Sequence, residues 1–230
     1  MLRKHLIPLT LGLFAFSAGS PLFSEDIKMG AQIGAGFPTG TLHTLVDGKA
    51  GFTAGAFALV DLREGRAIRP RLDYFHWRGT QPVLVPVNFF PGAPSPATAA
   101  QTTRVTCWSL GADYLRFLEG HTNEGVYLLA GLGISSNQRE ADVTLNSATL
   151  SGSGSRSQRS TRLALNVGAG YQFNPTFGAE AGYRLTSLGS PDVAVPVTNT
   201  VGGVGTTYNA TALQSGKDIG FWSLGVTVRF

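Results

Sequence analysis

Charge is scarce in this sequence. Asp, Glu, Lys and Arg make up 14% of its 230 residues, against about 25% in ordinary soluble domains. With 18 basic and 14 acidic residues, the balance does not point to nucleic acid. Cys107 is the single cysteine, so no internal disulfide can form, and an exported domain without one must be held together by other means. After the first residues no apolar run approaches the roughly 20 needed for a helical membrane span. The four histidines, His5, His43, His76 and His121, have no metal-ligand spacing. No nucleophile elbow and no phosphate-binding loop with its lysine is present. The sequence therefore implies no cofactor, no metal and no recognisable catalytic motif.

What is present begins with "MLRKHLIPLTLGLFAFSAGSPLFSED". A basic start at Arg3 and Lys4, an apolar run from Leu6 to Phe16 and small residues at Ser17 to Ser20 read as a cleaved secretory signal peptide. Residues 1–24 are assigned to it, with the cleavage site open, and 25–230 to one exported domain. Without Arg3 and Lys4 the exported form carries 16 basic against 14 acidic residues and is close to neutral.

The exported part is rich in glycine, at 30 residues of the full sequence, and alternates with period two, the mark of two-faced strands. In 28–37, Met29, Ala31, Ile33, Ala35 and Phe37 oppose Lys28, Gln32 and three glycines. Segments 126–135, 162–173, 177–186 and 221–230 repeat the pattern. Three weaker strands cover 51–61, 67–78 and 103–117. Phe57 and Leu59 leave the faces of the first unassigned, and Pro70 calls for a bulge or an end in the second. Eight strands result. Their connections alternate in length: 62–66, 119–125 and 174–176 are short, while 79–102, 136–159 and 188–217 are long, with a moderate loop at 38–50. A hairpin within 188–217 would make ten strands; the preferred reading extends the flanking strands instead.

The polar faces carry near-matched charges: Lys28, Arg69, Arg71, Arg162, Arg184 and Arg229 against Asp61, Asp73, Asp113 and Glu180. The opposite faces of the five clean strands carry none. A soluble barrel would show water its charges, whereas a barrel in lipid turns an uncharged band outward, edged by aromatics. Tyr114, Tyr171, Phe173, Phe177 and Phe230 fall near the short-turn end, and Phe37, Phe52, Tyr74, Trp77, Trp108 and Trp222 near the long-loop end. The fold class expected is all-β: an eight-stranded antiparallel up-and-down transmembrane β-barrel with a plugged, charged lumen formed by Lys28, Arg69, Arg71, Asp73, Asp113, Glu180, Arg184 and Arg229.

The signal peptide, eight alternating strands, short turns against long loops, and a last strand "FWSLGVTVRF" together resemble the small OmpA- and OmpX-type outer-membrane barrels of Gram-negative bacteria. The resemblance spans 25–230 and is architectural. It implies that Trp222, Leu224, Val226, Val228 and Phe230 form the signal read by the outer-membrane assembly machinery, with Arg229 turned inward toward a partner such as Glu180. It departs from the tethering members of that group in lacking a periplasmic domain after the barrel. Expected partners are outer-membrane lipid and lipopolysaccharide, the latter through basic 136–159, and an unknown extracellular ligand of the long loops. Eight strands leave no aqueous channel, so the function expected is that of a structural and surface-interaction protein acting through its long loops, with a narrow porin-like channel as the alternative and a lipid A-modifying enzyme a lesser one. For the latter, His76 would need Ser109 or Asp73, which alternation places on the other face.

Overall fold

The computed structural model describes residues 27–62, 64–87, 95–146, 151–187, 194–201, 204–211 and 218–230. The expected signal peptide, 1–24, and residues 88–94 of the long connection 79–102 lie outside them. Ten strands and one short helix follow in order: β1 (Ile27–Thr39), α1 (Gly40–Leu45), β2 (Gly51–Asp61), β3 (Arg66–Val87), β4 (Ser95–Phe117), β5 (Gly125–Asn146), β6 (Ser151–Gln172), β7 (Phe177–Ser187), β8 (Ala194–Val201), β9 (Val204–Thr211) and β10 (Asp218–Arg229).

Eight of the strands close a ring. Each of β1 to β6 pairs antiparallel with the next, β7 pairs with β10, and β10 returns to β1. The register leads from Ile27 through Val60, Ile68, Tyr114, Ala130, Val167, Tyr183 and Trp222 back to Phe37. Strand β1 is thus re-entered ten residues further on, the stagger that a closed barrel of steeply tilted strands requires. All nine residues on that path are apolar or aromatic. Closure leaves the barrel wall without an edge strand.

The structure revises several expectations about the connections. Segments 79–102 and 136–159 are mostly strand. Strands β3 to β6 run on past the ring as a four-stranded sheet, rising roughly 35 Å along β4 above Thr106. The period-two signal fades there because both faces carry Ser, Thr, Gln and Arg. Segment 188–217 does not extend its neighbours: it forms a β8–β9 hairpin that joins the upper end of β6 at Gly152–Asn199 and Ser153–Thr198. The ring itself stays at eight strands. The moderate loop contains α1.

Pro70 produces no bulge. The β3–β4 ladder runs unbroken through Pro70–Ala112, while the β2–β3 ladder keeps its register but lacks the pairs Ala58–Pro70 and Leu59–Arg69. The absent imide N–H therefore faces β2 and leaves the Ala58 carbonyl without its ladder donor. Alternation by two turns the nitrogens of Pro82 and Pro86 to the same edge. At that height β3 has outrun β2, whose last pair is Phe52–His76, so these prolines cap an edge that no described strand pairs with.

Inside and outside are inverted relative to a soluble barrel. Met29, Ile33, Leu72, Leu110, Leu132, Leu163, Leu165, Val167, Leu224 and Val226 all point outward and are exposed. On most strands the band is nine residues long, as in 126–134 of β5 and 163–171 of β6, which matches the roughly 9–11 residues of a tilted bilayer-crossing strand. Its upper edge carries paired aromatics in tilted contact, Tyr74 against Trp108 at 4.8 Å and Tyr183 against Trp222 at 5.0 Å. The lower edge carries Tyr171 and Phe173 at 5.2 Å. Trp77 does not belong to the upper girdle: it is fully buried inside, as are Phe57 and Leu59 of β2. One row above the girdle the outward face becomes polar, with His76, Thr106 and Gln138 side by side.

Candidate functional site

The barrel interior is filled in three layers. At the lower end Leu59, Ala67, Leu115, Phe117, Tyr127 and Leu129 form an apolar layer. At the upper end α1 folds into the mouth and inserts Leu42, Leu45 and Val46 among Phe75, Trp77, Val105, Cys107, Ile219 and Phe221. A six-residue helix has too few internal bonds to stand alone, and Thr39 makes no side-chain cap. The cup of wall residues holds it. Trp77 completes the layer by donating from Nε1 to the Gly36 carbonyl at 3.0 Å.

Between these layers lies an ionic network. Arg69, 1% exposed, donates from Nε and Nη2 to Asp113 Oδ2 at 3.2 and 2.7 Å, and pairs through both Nη atoms with Glu180. Arg71 reaches Asp73 and Asp113, each at 3.2 Å. Arg184 Nη2 donates to Asp73 Oδ2 at 3.0 Å and its guanidinium stacks over Phe75 at 4.4 Å. Asn166 donates to Asp113, and the Tyr127 hydroxyl to Glu180, each at 3.2 Å. Three guanidinium groups thus meet three carboxylates, the condition for burying charge at tolerable cost. In the ring, β3 and β7 lie four places apart, so Arg69–Glu180 and Asp73–Arg184 are braces across the full diameter.

Two cavities beside the network measure about 10 Å³ each, room for a single water at most. The larger hollow, about 340 Å³, lies on the upper sheet between Thr80, Pro82, Thr98, Ala100 and Thr144, open to the surroundings. Above the membrane-width band, Arg139 points to the inner side of the upper sheet, and burial pushes its pKa below the usual guanidinium value.

Of the residues singled out in the sequence, Arg69, Arg71, Asp73, Asp113, Glu180 and Arg184 come together. Lys28 sits at the lower rim, bonded to Asn123 at 2.6 Å, and Arg162 is exposed. Arg229 turns inward but does not meet Glu180, which Arg69 occupies; it donates to the Thr122 carbonyl at 2.7 Å. Trp222, Leu224, Val226, Val228 and Phe230 all face outward, Phe230 being 80% exposed. His76 lies on the outer face against Thr106 at 3.2 Å, with Asp73 and Ser109 inside, so the three are not brought together. Sequence reading missed the α1 plug, although Leu42, Leu45 and Val46 have helical spacing between Gly40 and Gly48. It also missed Tyr127 and Asn166, which an apolar strand pattern does not distinguish from their neighbours.

No family model matches the chain, and no curated protein matches it. Solved structures do. A major outer membrane protein from Thermus thermophilus aligns over 90% of this chain and 100% of its own, at 15% identity and a TM-score of 0.54. Ail, the attachment invasion locus protein of Yersinia pestis, aligns over the same shares at 15% identity and 0.46. Neisserial surface protein A aligns over 89% and 96% at 20% identity and 0.40. The chain has the fold of the small outer-membrane β-barrels: all-β, with eight antiparallel up-and-down strands in a closed ring.

Proposed function

We propose that this protein is an integral outer-membrane barrel with a sealed lumen, acting as a structural and surface-interaction protein through the sheet that its strands raise beyond the membrane. The observation that carries the reading is the pairing of an uncharged outward band, nine residues long on most strands, with an interior closed by three layers and cavities of about 10 Å³. A band of that height suits lipid on all sides. A filled interior is of no use to a solute and frees the fold for display. The outward face of the upper sheet, with its Thr-lined hollow and Arg78, Arg104 and Arg159, supplies the polar surface for contact with lipopolysaccharide or with an extracellular partner.

The test is fractionation followed by planar-bilayer recording. The protein should sediment with outer membranes, shift in gel mobility on heating and give no steady conductance. Recovery as a soluble periplasmic protein would sink the membrane reading, and reproducible single-channel steps would replace the scaffold by a narrow channel. Comparison of lipid A masses with and without the protein checks the expectation that it is not an enzyme.

A further inference from the structure

The lower end of the barrel holds a device that the ionic network does not explain. Arg229 is the last residue of β10, and the ends of strands and helices ordinarily fray. Here its backbone N–H donates to the Thr176 carbonyl at 2.7 Å, and the next N–H, of Phe230, donates to Met29 of β1 at 2.9 Å. The side chain, 4% exposed, then leaves this seam and crosses the barrel. Nη1 donates to the Thr122 carbonyl at 2.7 Å, and the guanidinium lies over the Phe117 ring at 5.5 Å. In the ring β10 stands four places from β4, so Thr122, in the β4–β5 turn, belongs to the opposite wall.

Thr122 is itself drawn in. It is 3% exposed, and its hydroxyl donates to Asp61 Oδ2 at 2.7 Å, at the end of β2. The turn that carries it therefore folds beneath the lower apolar layer as a stopper. The Arg229 guanidinium joins the end of the closing strand to that stopper, and the Thr122 hydroxyl joins the stopper to β2. The geometry can exist only when β10 is zipped to β1 as far as its last residue and the turn is folded under the lumen.

We propose that Arg229 is a closure latch, which couples completion of the β1–β10 seam to sealing of the lower end of the lumen. Its role is distinct from the outward residues of the same strand: Phe230 and Val228 face away from the barrel, while Arg229 acts inside it. A hydrogen bond from a charged donor to a buried carbonyl is among the stronger ones, so its loss loosens both ends of the contact together.

The experiment is amide hydrogen exchange on the purified full-length barrel in detergent micelles, comparing wild type with Arg229→Met, which keeps the stem and removes the donors. Exchange at 28–32, 120–124 and 226–230 should accelerate about tenfold or more, with the β3–β4 ladder around Leu72 and Leu110 unchanged. Arg229→Lys, with one donor group in place of the fork, should fall between. Unchanged exchange at the seam, loosening confined to the turn, or equal acceleration everywhere overturns the proposal. Should Arg229→Met yield no folded barrel, Thr122→Ala serves instead: it cuts the Asp61 arm, and the turn and seam must then loosen together, a response of the turn alone being a refutation.

Discussion

Replacing Arg69 by Met puts the interior to its hardest test. The methionine keeps most of the stem but removes every donor that Asp113 and Glu180 share. Asp113 retains Arg71 at 3.2 Å and Asn166 at 3.2 Å. Among the described residues Glu180 retains one hydrogen bond, from the Tyr127 hydroxyl, in a position 4% exposed. Three carboxylates then face two guanidinium groups, and the excess charge sits on the residue with least help. Removing one partner of a buried pair typically costs about 3–5 kcal/mol, and Glu180 places this case in that range. The penalty belongs to the orphaned carboxylate, so adding Glu180→Gln to Arg69→Met should recover about 2 kcal/mol or more, although it is a second lesion. The assay is urea unfolding of the barrel refolded in detergent micelles, followed by tryptophan fluorescence and by heat-dependent gel mobility. A loss under about 1 kcal/mol for the single variant, or a double variant no better than the single, refutes the view that this network is desolvated and mutually dependent.

Trp77→Ala removes a fully buried indole and its bond to Gly36, and should cost about 3–5 kcal/mol while freeing α1, seen as new protease cleavage within 40–50. Pro70→Val restores an N–H facing the Ala58 carbonyl; one recovered hydrogen bond, about 1 kcal/mol, should raise the urea midpoint, and a fall would contradict the orphaned-carbonyl reading. Val167→Arg, in the middle of the outward band, should destabilise the barrel in lipid vesicles by about 2–4 kcal/mol; a neutral effect there would deny that lipid covers that face. Deleting Phe230 should reduce assembled barrel in cells far more than Arg156→Ala in the upper sheet, and equal amounts of both would remove the assembly role from the terminal strand.

The outward band was legible because alternation is a local signal: Met29, Ile33, Leu224 and Val226 announce their face from neighbours two residues away. Trp77, Phe75 and Phe57 were not, because an aromatic on a strand reads the same whether it faces lipid or a lumen plug. What turns these inward is parity with Arg69, Arg71 and Asp73 on the same strand, and for Phe57 with Thr53 and Asp61. On β3 that parity outweighs the girdle expectation for Trp77. The upper parts of β3 to β6 carry a diluted alternation: Val105, Ala141 and Val143 face inward, but so do Gln101, Thr103 and Arg139. Their pairing follows from continued register with the strands below, which only the assembled sheet reveals. Arg229 turns inward, and its partner depends on which strand stands opposite in a closed ring.

The abundance of glycine on the inward faces has the same origin as the seal. Phe57 pairs directly with Gly30, Asp73 with Gly55, Asp113 with Gly131, and Tyr127 with Gly170. At each of these glycines an added methyl group would run into the large side chain named. Eight strands enclose little volume, so these large residues lie beside glycine on one neighbouring strand, although large pairs also meet directly, as Phe57 with Arg71 and Phe117 with Tyr127. Bulk is thereby distributed level by level, with α1 filling the mouth and Thr122 the base. Shortening Phe57, Asp73 or Asp113 opens space beside its glycine, within a single layer of the interior. A conducting path through this barrel would require the ionic network and both apolar layers to be breached together, which is why a sealed scaffold is the more robust reading of the interior than a channel awaiting a stimulus.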